Sequence, residues 1–361
     1  MIDEKLAVWT LCGIDGIGPA GFVNLLEKFG SASKIFETPL DGLISANINP
    51  RIVQNIVAKR DWNRQADLFI ATIPPDTEIA ILSGPEYPAR LKNIPTPPPY
   101  IYYKGDLTVF ERPTLAVVGS RRPTDYGLRM ASRLVGELAS AGVTIVSGLA
   151  YGIDGAAHQA ALEAGGITAA VFGCGLDTIY PSGHRALAER IVKSGCLISE
   201  FPKGTKPEPY NFPVRNRIVA GLSDGVLVIE AGEKSGALLT ATIALDQGRD
   251  VLAVPGSVDN DLSVGPNSLI KQGAIAVTTA EDIFVNFGWH KSELPKKVEQ
   301  DLSKLSKEEH KIFEQVSVQP IHIDELNRKS QLGPGKIAEA LLNLELKGFI
   351  MRKPGNFIVR A

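Results

Sequence analysis

Between Arg112 and Asn286, seven short apolar runs alternate with segments of helical length, and no other feature constrains the fold as tightly. The runs are Leu115–Gly119, Val143–Ser147, Ile167–Phe172, Cys196–Ser199, Val226–Glu230, Val251–Pro255 and Ile275–Thr278. Nearly unbroken hydrophobicity over so few residues fits strands covered on both faces. Helical segments of about 10–16 residues between such strands make βαβ units and a parallel sheet. The expected fold class is therefore α/β, a Rossmann-like doubly wound and mostly parallel sheet. Ligands of such sheets bind beyond the carboxyl ends of the strands, so the loops that follow each strand carry the functional information.

The flanks read differently. The first 70 or so residues are short helical stretches with apolar spacing, such as Leu6, Val8 and Leu11, then Phe22, Val23, Leu25 and Leu26. Gly13-Ile-Asp-Gly-Ile-Gly-Pro-Ala-Gly21 joins two of them in the manner of a helix-hairpin-helix. The amides of its Gly16–Gly18 turn could touch phosphates without reading bases, or the hairpin could serve protein contact. Pro74-Pro75 ends this part, and prolines 95, 97, 98 and 99 lead through Tyr100–Tyr103 into the centre. His290 to Lys307 is a polar, linker-like stretch. After it come a helix, Ile321–Ile323, a short helix, a helix from Pro334 to Leu346, and two short runs joined by Lys353-Pro354-Gly355. That order is a winged-helix pattern. Lys336 stands there against Glu339 and Glu345, a poor face for a major groove, so protein contact is favoured over duplex readout. The expected division is a helical domain over 1–75, the Rossmann-like domain with an N-terminal extension over 76–290, a linker over 291–303 and a winged helix over 304–361.

Composition sets limits on function. With 44% hydrophobic and 22% charged residues a large core is available and no staple is needed. Cys12, Cys174 and Cys196 have no paired spacing, which argues against disulfides or a zinc site and for a reducing, cytoplasmic setting. The acidic start Met-Ile-Asp-Glu-Lys is not a signal peptide, and no stretch approaches the roughly 20 apolar residues of a membrane span. Formal net charge is −2, so any polyanion site must come from a local cluster.

The loops supply that cluster. After the first strand, Gly119-Ser120-Arg121-Arg122 combines a tight turn, a hydroxyl donor and a guanidinium fork at a helix start. An arginine pair on a surface loop is the bland alternative. After the second, Ser147-Gly148-Leu149-Ala150-Tyr151-Gly152-Ile153-Asp154-Gly155 is dense enough in glycine for a ligand to approach the backbone, or for close helix–sheet packing alone. It lacks the dinucleotide fingerprint. Asp154 reads there as a helix-start residue. After the third comes Gly173-Cys174-Gly175-Leu176-Asp177 with Tyr180-Pro181; Cys174 has no neighbouring histidine base, and His184 stands alone.

The fourth loop is the most informative. From Phe201 to Arg217 it carries Lys203, Lys206, Arg215 and Arg217 against Glu208 alone, net +3, interleaved with Phe201, Tyr210 and Phe212. Cations that follow a backbone, beside aromatic faces that stack bases, are the ingredients of a single-strand nucleic-acid site. Aromatics packed inward are the alternative. After the fifth strand, Glu230 precedes a helix opening at Ser235-Gly236, another anion-binding start. No Walker pattern occurs, and no catalytic arrangement, metal or cofactor is expected.

Together these loops resemble the DNA-processing protein family called DprA or Smf. The matching stretches are Val118-Gly-Ser-Arg121, Ser147-Gly-Leu-Ala150 with Gly152-Ile-Asp154, Gly175-Leu-Asp177 with Tyr180-Pro181, and Ile198-Ser-Glu200 with Pro202. Further on come Phe212-Pro-Val-Arg-Asn-Arg217, Glu230-Ala231 with Ser235-Gly236, and Val254-Pro-Gly256; upstream, Tyr87-Pro88 and Tyr102-Tyr103-Lys104-Gly105 fit as well. The resemblance spans Gly84 to Phe287 without a departure in these motifs. It implies binding of single-stranded DNA in natural transformation and recombination, loading of RecA recombinase, and homodimers formed through the Rossmann-like domain. Single-strand-binding protein, met on the same DNA, is a further partner that the resemblance leads one to expect.

The residues expected at the strand are Gly119, Ser120, Arg121, Ser147, Gly148, Lys203, Phe212, Arg215, Asn216, Arg217, Ser235 and Gly236. Two other functions of the same fold remain open: a nucleotide sensor using the Ser120 and Ser235 anion sites, and a nucleoside-monophosphate hydrolase. The second needs a Gly-Gly-x-Gly-Thr loop, where this chain has Glu230-Ala-Gly-Glu-Lys-Ser-Gly236.

Overall fold

The computed structural model describes residues 3–289, 305–316, 321–330, 332–347, 349–353 and 355–360. The chain divides into two compact units, Met1–Pro295 and Lys296–Ala361. The linker expected at 291–303 lies outside the described residues.

Six helices open the first unit: α1 (Glu4–Cys12), α2 (Pro19–Phe29), α3 (Ala32–Glu37), α4 (Leu40–Ser45), α5 (Pro50–Ala58) and α6 (Trp62–Thr72). The Asp3 carboxylate caps α1 by accepting from the Leu6 amide at 3.0 Å, and Pro19 occupies the first turn of α2, where its missing N–H costs nothing. Between them Gly16 takes φ +93°, which an L side chain would resist. The helical hairpin is thus specified by local chemistry. These helices do not form a core of their own. Val8, Leu11, Phe22, Leu25, Ile35 and Phe36 share one apolar cluster with Ile79, Ile81, Tyr102, Phe172 and Leu197 of the sheet. The boundary at 75 therefore marks a change of secondary structure within a single packed body.

The sheet has nine strands: β1 (Glu78–Ile81), β2 (Tyr100–Gly105), β3 (Thr114–Val118), β4 (Thr144–Ser147), β5 (Thr168–Phe172), β6 (Cys196–Ser199), β7 (Gly225–Val228), β8 (Asp250–Ala253) and β9 (Ile275–Ala276). Their order is β1-β2-β6-β5-β4-β3-β7-β8-β9. All seven apolar runs became strands, and β3 to β9 are mutually parallel. The first two strands are an addition to the sequence reading. β2 runs antiparallel to β6, and β1 antiparallel to β2. Of the tyrosines that read as a lead-in, Tyr102 and Tyr103 are buried in β2 and Tyr100 half-buried. The Tyr102 hydroxyl donates to Thr72 Oγ1 at 3.1 Å and that of Tyr103 to Glu78 Oε2 at 2.8 Å, so their polar tips are satisfied beside the core.

The helices that follow are α7 (Ala89–Lys92), α8 (Asp125–Ser140), α9 (Ile153–Glu163), α10 (Arg185–Ser194), α11 (Asn211–Gly221), α12 (Gly236–Asp246), α13 (Val264–Lys271) and α14 (Ala280–Phe287). Alternation along the strands sorts them onto two faces. Leu115, Val117, Ile145 and Leu227 pack with Leu134 and Leu138 of α8 and Ala157 and Ala161 of α9. Ala116, Val118, Val146 and Val226 pack with Ile218 and Val219 of α11 and Ala241 of α12. From β3 the chain winds one way through β4, β5 and β6, then returns to β7 on the opposite side of β3 and winds the other way. The junction of β3 and β7 is the switch point, and the crevice at its carboxyl end is where such a fold binds ligands.

The second unit comprises α15 (Lys307–Phe313), β10 (Ile321–His322), α16 (Ile323–Ser330), α17 (Pro334–Leu346), β11 (Ile350–Lys353) and β12 (Phe357–Arg360), with a sheet ordered β10-β12-β11. It is a winged helix around Ile312, Leu326, Ile337, Leu341, Leu344 and Ile358. On it Lys336 pairs with Glu308 at 3.5 Å and Glu345 with Arg352 at 3.0 Å. Of the expected wing turn, Pro354 lies outside the described residues.

Candidate functional site

The loop after β3 is fixed by β7. The Ser120 amide donates to the Glu230 carbonyl at 2.6 Å, and the Ser120 carbonyl accepts from the Ile153 amide at 3.1 Å. A Cβ on Gly119 would lie 2.6 Å from the Ile153 side chain and 2.9 Å from the Glu230 carbonyl, so glycine is required for this approach. The buried Glu230 carboxylate accepts from the Thr124 amide at 2.8 Å and its hydroxyl at 2.5 Å, bracing the start of α8. Glu230 is thereby occupied in holding two loops together. Arg121 projects from this braced turn, exposed, with its guanidinium carbon 5.4 Å from the centre of the Phe212 ring.

The loop after β4 shows what its glycines are for. Gly152, at φ +80°, lies against the backbone of Ser120 and Arg121, and Gly148 lies against the Arg215 guanidinium, where a Cβ would overlap it. Close packing is thus one demonstrable use of these glycines. Ser147 departs from its expected role at the surface. It is fully buried and donates its hydroxyl to the Val117 carbonyl at 2.6 Å, because its register on β4 turns it toward β3. Asp154 lies in the first turn of α9, as a helix-start residue should, and its carboxylate accepts from the Gly148 amide at 3.1 Å.

Asp154 also faces Arg215. Burial pushes the carboxyl above its ordinary range and the guanidinium below its own, and the opposite charges partly offset both shifts. Arg215 is only 5% exposed and donates to the Val171 carbonyl, so it forms a floor and cannot reach out as a free cation. Arg217 is also committed, to Glu200 and to the Thr96 carbonyl. The net +3 expected for this loop is therefore reduced. Glu200 lies one residue before the loop, and Asp154 comes from another loop altogether. Lys203 and Lys206 stay exposed. Lys203 does not line the crevice; its amide is bonded to the Thr72 carbonyl at 2.9 Å and its neighbour Gly204 is tied to Asp177.

These loops enclose a cleft of about 530 Å³ at the switch point. Of the expected residues, Gly119, Arg121, Gly148, Phe212, Arg215, Asn216, Ser235 and Gly236 line it, whereas Ser120, Ser147, Lys203 and Arg217 do not. The structure adds Tyr180, whose ring lies 5.8 Å from that of Phe212, and Asp154 beneath Arg215. The signal for Tyr180 was present in the sequence, an aromatic just past a glycine-rich strand end. At the opposite wall Ser235 caps α12, accepting from the Ala237 amide at 3.3 Å, and the open amides of this helix start face the cleft. One wall thus offers aromatic faces with a cation and the other offers helix-terminal donors, a combination suited to a flat ring joined to a phosphate. Nothing here activates a nucleophile. Burial, and secondarily the nearby Asp177, push the Cys174 thiol up to about 11, keeping it protonated. Among the described residues no group of three or more His, Cys, Asp or Glu side chains could hold a metal ion.

Comparison with known proteins follows the same lines. The family model described as DNA recombination-mediator protein A matches residues 78–288, and that of the DprA winged helix domain matches residues 296–356. Protein Smf of Escherichia coli is 41% identical over 292 residues, covering 79% of this chain and 76% of its own. The X-ray structure of DNA processing protein A from Streptococcus pneumoniae superposes with a TM-score of 0.70 at 34% identity, over 80% of this chain and 100% of that one. A structure of the Helicobacter pylori protein, which describes a single-stranded DNA binding mode, gives a TM-score of 0.53 at 30% identity, over 58% of this chain and 95% of that one.

Proposed function

Because the chain belongs to the DNA recombination-mediator protein A family, known as DprA or Smf, we propose that its switch-point cleft holds single-stranded DNA without reading sequence. The observation that carries this reading is the wall on which exposed Arg121 lies over Phe212, with Tyr180 beside it, opposite the donors at Ser235 and Gly236. A base stacked on such a wall gains roughly 1–3 kcal/mol whatever its identity, and Arg121 supplies a charge-assisted contact to a phosphate. Gly119, Gly148 and Asn216 belong to the same surface. Ser120, Ser147, Arg215 and Arg217 act by holding it in shape, and Lys203 meets the strand further along.

The protein acts in the cytoplasm as a homodimer, presents DNA to RecA, and works on strands that single-strand-binding protein also occupies, in natural transformation and recombination. Two copies of a modest basic site gain avidity along one strand without new contacts. Three free cysteines fit a reducing compartment, and among the described residues no helix is long and apolar enough to cross a membrane. The winged helix engages a protein, since Lys336 on α17 is paired with Glu308. Binding proceeds without turnover; Glu230, the acid nearest a hydrolase role, is committed to Thr124. A single nucleotide would also fit a cleft of about 530 Å³, which keeps a sensor as the second reading.

Titration with oligothymidylates of increasing length separates the two. A strand site should show affinity rising beyond one nucleotide, with preference for single strands over duplex. With about three phosphate contacts per protomer, log affinity against log salt should slope by roughly −2, at about −0.7 per contact. A plateau at one nucleotide would establish the sensor, and a flat salt dependence would remove the phosphate contacts from the mechanism.

A further inference from the structure

Next to the first cleft, on the other side of Arg121, lies a second of about 760 Å³. Its walls come from α8, α9, α10 and the loops before them, and include Arg121, Tyr151, Gly155, Gln159, His184 and Arg190. Among the described residues no carboxylate lines it, whereas two guanidiniums do. Arg190 is held through Nη1 by the neutral Gln159 amide oxygen at 2.9 Å, so its charge is positioned without a carboxylate on that contact. Tyr151 is 53% exposed, a large ring left to solvent inside a concave site. It is nevertheless placed. Its ring meets His184 edge-on at 5.0 Å, and His184 Nδ1 donates to the Leu149 carbonyl at 2.9 Å. A Cβ on Gly155 would fall 2.7 Å from His184 Cε1, so that glycine makes room for the imidazole. The two clefts also adjoin, since Arg121 lines both. A narrow recess of about 30 Å³ lies between them, walled by Arg121 and Tyr151 from one and by Gly148, Tyr180, Phe212 and Arg215 from the other.

We propose that this second cleft holds the stretch of DNA strand adjoining the first, with a phosphate between Arg121 and Arg190 and a base against Tyr151. The inference rests on the strand-binding reading and extends it. Charge complementarity selects a polyanion over a neutral metabolite, and continuity through Arg121 selects a chain of nucleotides over an isolated one. Each element is one that single-strand sites use, a cation pair that follows the backbone and an aromatic face that accepts any base.

The test is a length series of labelled oligothymidylates, from about 2 to about 12 nucleotides, a range bracketing ordinary site sizes. It uses the full-length wild type, Tyr151→Ala, Tyr151→Trp and Arg190→Glu. Tyr151→Ala and Arg190→Glu should each lose roughly tenfold affinity for the long oligonucleotides, the scale of one stacked base. Both should bind the shortest ones as the wild type does. Tyr151→Trp, which keeps a stacking face, should bind long oligonucleotides at least as well as the wild type. It also distinguishes a lost base contact from a disturbed fold, which thermal melting of all variants checks directly. Unchanged affinity at every length in both loss variants would overturn the proposal. Equal loss at every length would overturn it too, since the residues would then act through the first cleft. A wild type whose affinity does not rise with length would instead overturn the strand reading itself.

Discussion

Arg121→Glu should weaken single-strand binding by about 100-fold or more while the melting temperature stays within a degree or two of the wild type. A hydrogen bond to a charged group contributes about 1.5–3 kcal/mol, and reversing the sign adds repulsion from the same phosphate. The fold should tolerate the change because Arg121 is exposed and its guanidinium rests on the face of Phe212, outside any buried ion pair. Arg121 lines both clefts and the recess between them, so no other cation on this surface is as central. Arg121→Lys should recover part of the affinity, since it keeps the charge but loses the planar fork. Lys203→Glu is the informative control. Lys203 is exposed and does not line the first cleft, so its reversal should cost only a few-fold in affinity, the scale of one solvent-screened contact. Fluorescence anisotropy with a long oligothymidylate measures all three. Wild-type affinity for Arg121→Glu would place the strand on another surface.

Arg215→Ala should be the most damaging single change to the fold around the site, at about 3–5 kcal/mol. Removing a buried charge that faces an opposite one leaves the other less compensated and here also leaves the Val171 carbonyl without its donor. Asp154 is 7% exposed and Arg215 5%, and each moves the other's titration although no direct ion pair joins them. For a domain of this size that corresponds to a melting temperature lower by roughly 10 °C. The pH dependence follows from the direction of the shift. Burial already raises the Asp154 carboxyl, and loss of the Arg215 charge, which opposes that shift, raises it further. A raised folded-state value means that the folded chain holds the proton more tightly than the unfolded chain. Stability is then highest below the unfolded value near 3.8 and is lost as pH rises through the folded value. The deficit of Arg215→Ala relative to the wild type should accordingly be largest at neutral pH and shrink toward acid. Combining Asp154→Asn with Arg215→Met removes both charges while keeping the volume, and should recover part of the loss. If Arg215→Ala melts within about 2 °C of the wild type, Asp154 and Arg215 do not support the Gly148 turn.

The parts of this protein legible in its sequence are those encoded by neighbours along the chain. Seven apolar runs separated by helical segments specified the strands from β3 to β9, because hydrophobic period and length distinguish a covered strand from its connecting helix. The hairpin at Gly13–Gly18 followed from glycines and a proline within a few residues of one another. The position of the cleft followed too, since a doubly wound sheet has few places to bind a ligand, and the glycines, Arg121, Phe212 and Ser235 all fell in the loops and helix starts that follow the strands. What the sequence left open depends on residues brought together from far apart. Only the folded chain shows Glu230 reaching Thr124 across 106 positions, Arg217 turning back to Glu200, and Asp154 passing beneath Arg215. These pairings decide which cations remain free for a ligand, and a count of charges along one loop cannot register them. The same holds for Ser147, whose hydroxyl points to Val117, and for the tyrosines of β2, which extend the sheet by pairing with a strand more than ninety residues later. Apolar periodicity is a local property that each segment carries alone. Charge pairing, strand order and the sharing of one core between helices and sheet are properties of contact, and contact is set only by the tertiary structure.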